Sequence, residues 1–369
     1  MTRHKIFNHD IMVCTHESVE GNYLYCSRVL GLTEPEDIIQ LHPDLKSQWN
    51  VITEHYERIG LSYSKNVIWD VALRVLEDYP NYDVSLFFFG NATSKAGCDE
   101  DWFHQVDSDW LNVVKFINSK NNFIQLAQEL GVSVPVTSYF ENKTGIKDLS
   151  KFLYPCYFKA AISVNGVGIH RCENQQQLSE ILKRFPDEIP LQIQEEIAAS
   201  SFLNVQYYVE ASKLQRLAIT SQILDGCVHI GNCYPSKHQP WETVEPIAEW
   251  MVQRGMKEIF AFDVAVVEDA THGETRYLAI ECNPRFNGAS YPTGIAKKLN
   301  IPSWNCENFR TQYRSLEKLD LSDIEFNPQT NTGVVIVNWG TILVGKISIL
   351  IAGGVQEQNE LRTILKERL

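Results

Sequence analysis

Residues 260–288 read FAFDVAVVEDATHGETRYLAIECNPRFNG. Two runs rich in β-branched and aromatic residues, Phe260 to Val267 and Tyr277 to Asn283, flank a polar turn, the pattern of two strands joined as a hairpin. A hairpin centred on His272 sets Asp263 directly opposite Glu281. Cross-strand partners lie about 5 Å apart on one face, where two carboxylates repel. Asn283 shares the face of Glu281 because side chains alternate along a strand, whereas Phe260, Phe262, Val264 and Val266 fall on the face opposite Asp263. The strands are therefore expected to bury an apolar face and to present Asp, Glu and Asn oxygens on the other. An all-oxygen set suits a hard cation such as Mg²⁺, held through few carboxylates and completed by phosphate oxygens. Alone, this spacing is equally that of a solvated polar face. The continuation Pro284-Arg285 favours chemistry, since a guanidinium beside a cation site makes sense where an anion of higher charge also sits. Cys282 alternates to the opposite face and reads as a packed thiol.

A second group surrounds Lys159. It ends an apolar run, and Ser163-Val164-Asn165-Gly166-Val167-Gly168-Ile169 follows as a small-residue loop. Glycines there let backbone N–H groups approach phosphate oxygens. The loop is not G-x-x-x-x-G-K-[ST], and by itself it is also an ordinary turn. Lys120, just after the N-cap candidate Ser119, is by itself a surface lysine at a helix start.

The elements that must carry these residues follow from periodicity. A helix is predicted over Lys120 to Leu130, with Gly131 just past its end and Pro135 beyond. A strand over Phe152 to Ala161 carries Lys159; a helix over Gln175 to Phe185 and strands over Leu191 to Ile197, Leu203 to Val209 and Gln215 to Leu224 follow. A helix from about Thr243 to Met256 leads into the hairpin. Upstream, strands over Asp10 to Cys14 and Val84 to Phe89, with a helix over Trp69 to Tyr79, suggest a small α/β unit in the first 115 residues or so. No G-x-G-x-x-G follows its first strand, so nothing points to a dinucleotide. Beyond residue 300 the chain is polar until Val334 to Ala352, a run long enough to span a bilayer. Its Asn338, Gly345 and Lys346 and its β-branched content favour two short strands joined at Val344-Gly345-Lys346. A helix over Glu357 to Leu369 closes the chain.

Composition bounds the partners. The 369 residues, 44% apolar and 21% charged, suit two or three globular domains. With 33 Lys+Arg against 46 Asp+Glu the formal charge is −13, which repels phosphate backbones and anionic lipid. Neither nucleic acid nor a membrane is an expected partner, and any bound phosphate needs a local, arranged site. Nine cysteines, odd in number and without a C-x-x-C pair, read as free thiols in a reducing compartment. The N-terminus has no continuous apolar h-region, so no signal peptide is expected and a cytoplasmic location is.

Taken in order, these pieces resemble an ATP-grasp domain between about Ser119 and Gly294. LAQELGVSVPVTSYF resembles the family's opening helix and following strand, YPCYFKAAISVNGVGI its lysine strand and phosphate-covering loop, LQIQEEI the hinge strand that cradles adenine, and AIECNPRFNG its metal-binding E-x-N-P-R-x-x-G. The resemblance implies an α/β (α+β) ATP-grasp fold with an N-terminal α/β pre-grasp domain (1–115), two grasp subdomains (116–195 and 196–300) and a small strand-helix extension (301–369). It implies ATP and one or two Mg²⁺, with Mn²⁺ as a substitute. Lys120 and Lys159 would contact ATP phosphates, Ser163, Gly166 and Gly168 would line the mobile loop over them, and Glu195, Glu196 and Ala198 would frame adenine. Asp263, Glu281 and Asn283 would hold the metal, and Arg285 would stabilise the transferred phosphoryl group or the oxyanion. Where the family carries a ribose-binding carboxylate, AASSFLN offers Asn204 as the nearest polar residue, and GMKEIFAFD carries Phe and Ala where small residues are common.

Family chemistry implies a carboxylate–amine ligase: a substrate carboxylate attacks the γ-phosphate, and an amine then displaces phosphate from the acyl phosphate. Cancelling the repulsion between a carboxylate and a polyanion is work for Mg²⁺, Lys159 and Arg285. VGKISILIAGGVQEQNELRTIL resembles the C-terminal extension of some peptide-type ligases, which points to an amino acid or small peptide as substrate, and a homodimer through a terminal region is compatible with it. Thr220-Ser221-Gln222 and Ile230 to Tyr234 are candidates to face the substrate, with Gly231 and Asn232 also readable as turn residues. His16-Glu17-Ser18 matches no substrate signature. A carboxylate–thiol ligase or small-molecule kinase on the same scaffold, and a nucleotide-binding protein without turnover, are the alternatives. Phosphate release separates ligase from kinase, and a mere binder has little need of the whole set of Lys159, Asp263, Glu281, Asn283 and Arg285.

Overall fold

Near the N-terminus, β1 (Lys5–Asn8), β2 (Ile38–Gln40), β3 (Asn66–Ile68) and β4 (Asp83–Leu86) form a parallel sheet in the order β3-β2-β1-β4. Ile6, Phe7, Ile38, Ile39 and Leu86 are buried, as expected of short parallel strands covered on both faces. The computed structural model describes residues 3–12, 14–15, 19–90, 100–162, 168–226, 228–269 and 273–369. In it the chain divides into two units: Met1–Ser108 with Ile230–Lys237 and Arg285–Leu369, and Asp109–His229 with His238–Pro284.

In the first unit, the strand expected over Asp10 to Cys14 lies upstream instead, in β1. Asn8 ends the ladder because its side chain turns back to accept from the Asp10 N–H, and Cys14 N–H closes a turn on the Ile11 carbonyl. The helix expected over Trp69 to Tyr79 is a 3₁₀ segment, Leu73–Asp78, preceded by a turn in which Asp70 accepts from Ala72 N–H. Helix α1 (Trp49–Arg58) covers this part of the unit. Four further strands, β11 (Val228–Tyr234), β14 (Trp304–Arg310), β15 (Gly333–Asn338) and β16 (Lys346–Ala352), pair antiparallel in the order β11-β14-β16-β15, with α7 (Val355–Arg368) against β16 and β15 and α6 (Ser290–Lys298) against the 3₁₀ segment Asn22–Leu32. The apolar run at 334–352 is thus an antiparallel pair, joined through a 3₁₀ turn at Gly340–Val344. Strand β14 was not legible as such: its alternation of Trp304, Cys306 and Phe309 is interrupted by charged residues. No helix among the described residues is long and apolar enough to cross a membrane.

In the second unit, β5 (Thr137–Phe140), β6 (Cys156–Ala160), β7 (Ile169–Cys172) and β8 (Leu191–Glu195) form an antiparallel sheet in the order β5-β8-β6-β7. One face packs Cys156, Phe158, Cys172, Leu191 and Ile193 against Leu178 of α4 (Gln175–Arg184), whose N-cap Asn174 accepts from Gln177 N–H. A larger antiparallel arrangement has the order β13-β12-β9-β10, from β9 (Ser201–Glu210), β10 (Lys213–Asp225), β12 (Glu258–Asp269) and β13 (Glu274–Asn283). Its apolar face carries Tyr207, Phe260 and Phe262. Phe123 of α3 (Lys120–Glu129) and Trp241 of α5 (Trp241–Gln253) pack on these rings at 5.3–6.3 Å between centroids. Ser119 caps α3, accepting from Asn122 N–H. Helix α2 (Glu100–Ile117) is broken at Asp107, beside the boundary between the units.

One ion cluster ties the C-terminal part of the first unit to α1. Glu325 accepts from Arg58 through both guanidinium nitrogens, at 2.7 and 2.8 Å, and lies 2.7 Å from His55 Nδ1. His55 Nε2 accepts from Ile336 N–H at 3.1 Å, so Nδ1 carries the proton toward Glu325. Burial opposes the Glu325 charge, but Arg58 and His55 outweigh it and hold the carboxyl at about 2. A depressed carboxyl stabilises the fold fully above its unfolded value, about 4.3, and loses that contribution as pH falls through the folded value. We expect Glu325→Gln to lose about 1–3 kcal/mol at pH 7. In urea denaturation the gap from wild type should close between roughly pH 4.5 and 2; equal midpoints at pH 7 would show that the cluster does not stabilise the fold.

Candidate functional site

The β12–β13 ladder sets Asp263 opposite Glu281, Phe262 opposite Cys282 and Ala261 opposite Asn283. This is the register expected from the sequence on the site's side of the hairpin; His272 lies outside the described residues. One residue farther on, Val264 pairs with Ala279, leaving Ile280 as a bulge immediately beside the acidic pair. On the other side of β12, Asn204 of β9 stands opposite Asp263, and Thr220 of β10 stands opposite Asn204.

These registers gather amides around one carboxylate. Asp263 Oδ1 accepts from Asn204 Nδ2 at 2.9 Å and from Gln222 Nε2 at 2.6 Å, and Oδ2 accepts from Asn283 Nδ2 at 3.2 Å. Burial and the charge of neighbouring Glu281 push the Asp263 carboxyl well above the usual carboxylate range, against the pull of the amide donors. Glu281 is in turn met by Lys120 Nζ at 2.6 Å. The same residue's backbone N–H donates to the Ala161 carbonyl at 2.7 Å, so the start of α3 spans from the end of β6 to the acidic pair. Cys282 faces the apolar side, 3.9 Å from Met251 Sδ.

On β6, Lys159 is buried and donates to Gln194 Oε1 at 2.6 Å, while Gln194 Nε2 donates to Thr137 at 2.9 Å. Gln192, opposite Lys159 in the β6–β8 ladder, is fully buried with neither amide atom partnered. Gly168 accepts from Ala160 N–H at 3.1 Å where the chain returns to β7, at φ +84°, a conformation that favours glycine. Ser163 and Gly166, with residues 163–167, lie outside the described residues. At the end of β8, Glu195 accepts from Val136 N–H at 2.8 Å. Glu196 is gripped by Arg171, which holds its carboxyl below the usual range, and accepts from Tyr157. Both side chains are thus occupied within the sheet, and exposed Ala198 follows.

The structure therefore brings Asp263, Glu281, Asn283 and Lys120 together and places Lys159 on the neighbouring sheet of the same unit. Arg285 belongs to the first unit, its guanidinium 5.9 Å from the centre of the Phe88 ring. Sequence reasoning named Gln222 only as a substrate candidate and Asn204 only as a ribose candidate; both are ligands of Asp263's oxygens. The signal was the spacing of amides at alternate positions in otherwise apolar strands, which becomes readable only once the β9, β10 and β12 registers are known. Gly231 and Asn232 are strand residues rather than turn residues, and a Cβ at Gly231 would collide with the Cys306 carbonyl of the paired strand. His16, Glu17 and Ser18 lie outside the described residues.

The donor set fits a hard divalent cation. Two carboxylates set opposite each other across a ladder are relieved by a positive charge between them, and the Asp, Glu and Asn oxygens of the set are hard donors. Among the described residues no group of three or more His, Cys, Asp or Glu side chains is placed to hold a metal ion.

No family model matches the sequence, and no curated protein matches it. Solved structures do match in fold. The ADP complex of an N5-carboxyaminoimidazole ribonucleotide synthetase aligns at TM-score 0.60 and 11% identity over 99% of this chain and 98% of its own. An L-amino acid ligase from Bacillus licheniformis aligns at 0.55 and 10% over 100% and 98%. N5-carboxyaminoimidazole synthetase from Staphylococcus aureus, complexed with ADP, aligns at 0.55 and 10% over 83% and 86%. The chain has the ATP-grasp fold.

Lys120 meets Glu281, so its removal takes a positive charge from two half-buried carboxylates that face each other. We expect Lys120→Met to lower unfolding stability by about 3 kcal/mol in chelator at neutral pH. Denaturation midpoints equal to wild type would mean that the pair is already neutral without the lysine.

Proposed function

We propose that the chain is an ATP-dependent carboxylate–amine ligase that forms an amide or peptide bond and releases ADP and phosphate. The observation that carries this reading is the half-buried Asp263–Glu281 pair in direct register, with three amides donating to Asp263 and Lys120 linking Glu281 to the end of the Lys159 strand. An arrangement that holds negative charge at such cost has a use where a positive ion and a polyphosphate complete it.

In this reading Asp263, Glu281 and Asn283 hold one or two Mg²⁺, and Lys120 and Lys159 bind phosphate oxygens. Gly168 ends the loop that covers them, with Ser163 and Gly166 within that loop, and the backbone from Glu195 through Glu196 to Ala198 borders the adenine. Bound metal supplies charge neutralisation across the β- and γ-phosphates. Lys159, pre-oriented by Gln194, offsets the repulsion that a substrate carboxylate meets as it approaches the γ-phosphorus. The carboxylate oxygen forms a bond to that phosphorus as the bridging bond to ADP breaks. The amine then adds to the acyl carbon, phosphate leaves with the bonding pair, and Arg285 stabilises the transferred phosphoryl group or the oxyanion. Residues 1–115 act as the pre-grasp domain, 116–195 and 196–300 as the grasp subdomains and 301–369 as the C-terminal extension. Substrates are a small-molecule carboxylate and an amine, an amino acid or short peptide among them. The free thiols of Cys14, Cys26, Cys156, Cys172, Cys233, Cys282 and Cys306 suit a reducing cytoplasm.

Incubation with MgATP and a small-molecule extract should yield ADP, phosphate and a new mass equal to two metabolites minus water. A product heavier by one phosphoryl group, with no free phosphate, would make the protein a kinase instead. Glu281→Gln should retain its circular dichroism and lose turnover by at least about a thousandfold; full activity in that variant would sink the metal assignment.

A further inference from the structure

Two partners compete for Lys120. The function proposed above sets its ammonium on phosphate oxygens, whereas in this structure Nζ lies 2.6 Å from Glu281 Oε2. That oxygen belongs to the carboxylate a hard divalent cation would take at about 2.1 Å. Two positive charges closing on one carboxylate repel each other, so the ammonium and the cation are rivals for Glu281.

The hydrogen bonds show which part can move. Ser119 caps α3, and Lys120 N–H donates to the Ala161 carbonyl at 2.7 Å, so the backbone of Lys120 is fixed. Asp263 is fixed as well, by Asn204 and Gln222 donating to one oxygen and Asn283 to the other. What remains is the four-carbon lysine stem, which turns about its own bonds and ends in a compact point charge. An arginine fork would grip the carboxylate through two parallel bonds and release it less readily.

Charge makes the ammonium an incomplete substitute for a metal. It brings one positive charge to two carboxylates set opposite each other, so the ionised pair stays one charge short, which a divalent cation makes up. The Glu281 side chain is 26% exposed, so an ion reaches its carboxylate from solvent. We propose that Lys120 holds the cation's place on Glu281 while no nucleotide is bound, then yields the carboxylate to the metal and turns to the phosphate oxygens. The pair therefore resists a free divalent cation and accepts one that arrives with a polyphosphate, because only the polyphosphate offers Lys120 a new partner. The proposal rests on the metal and phosphate assignments of the ligase reading and adds an order of binding to them.

Mn²⁺ is titrated into the full-length protein without nucleotide, and bound metal is read by electron paramagnetic resonance. Lys120→Met and Lys120→Gln should each bind Mn²⁺ at least about tenfold more tightly than wild type, and a fluorescent ATP analogue at least about tenfold more weakly. A lysine with a merely structural role does not give opposite shifts from one substitution. Adding Glu281→Gln to either variant should abolish the gain in Mn²⁺ affinity. A folded variant that lacks either shift, or keeps the gain without Glu281, overturns the proposal. Where neither variant folds, wild type decides: excess Mg²⁺ should raise acetylation of Lys120 by an N-hydroxysuccinimide ester severalfold relative to the other lysines, read by peptide mass spectrometry. Unchanged labelling overturns the proposal. Turnover of MgATP by wild type is scored separately: its absence, with the Mn²⁺ shifts as expected, overturns the ligase reading alone.

Discussion

Two like charges held across a β-ladder are the constraint on which the second unit is organised. Backbone register leaves Asp263 and Glu281 no freedom to separate, and their half-buried position limits the water that screens them. The surroundings answer that cost in three ways: amides from Asn204, Gln222 and Asn283 donate to Asp263, Lys120 meets Glu281, and a bulge beside the pair re-aims the strand. The amides and Lys120 come from four different elements, β9, β10, β13 and α3. The strand order β13-β12-β9-β10 and the placement of α3 are therefore preconditions of the site.

The same division of labour runs through both sheets of that unit. One face of each is apolar and packed on helices, with Phe158 and Leu191 in the smaller and Phe260 and Phe262 in the larger. The other face is polar and largely buried, carrying Lys159, Gln192 and Gln194 in one and Asn204 and Thr220 beside half-buried Asp263 in the other. A polar face exposed to solvent needs no internal partners, whereas a buried one must find them or hold a ligand. Gln194 finds Lys159 and Thr137; Gln192 finds none. In the first unit polar groups are buried within the parallel strands, as at Asn8, Gln40 and Ser85, and just beyond them, where His9 is satisfied and Asp10 Oδ1 is not.

The hairpin at 258–283, the helix opening at Lys120 and the strand ending near Lys159 were legible in the sequence because their signals are local: alternation, an N-cap and a glycine stop. Periodicity of two also carried the facing of Asp263 and Glu281, and the order of motifs carried the fold. Less was legible where local signals compete. Asp10 to Cys14 is apolar enough to read as a strand, but polar side chains at its start bond the backbone and end the ladder at Asn8. Charged residues within β14 hid a strand whose stability comes from its neighbours β11 and β16.

By itself, then, the sequence determined which residues share a face of one hairpin and which side chains could carry charge to a phosphate, because those depend on spacing along a single strand or helix. Only the tertiary structure decided that Asn204 and Gln222 converge on Asp263 and that Lys120 answers Glu281. Those contacts join residues up to about 160 positions apart, and their register is set by long-range strand pairing that no local pattern encodes.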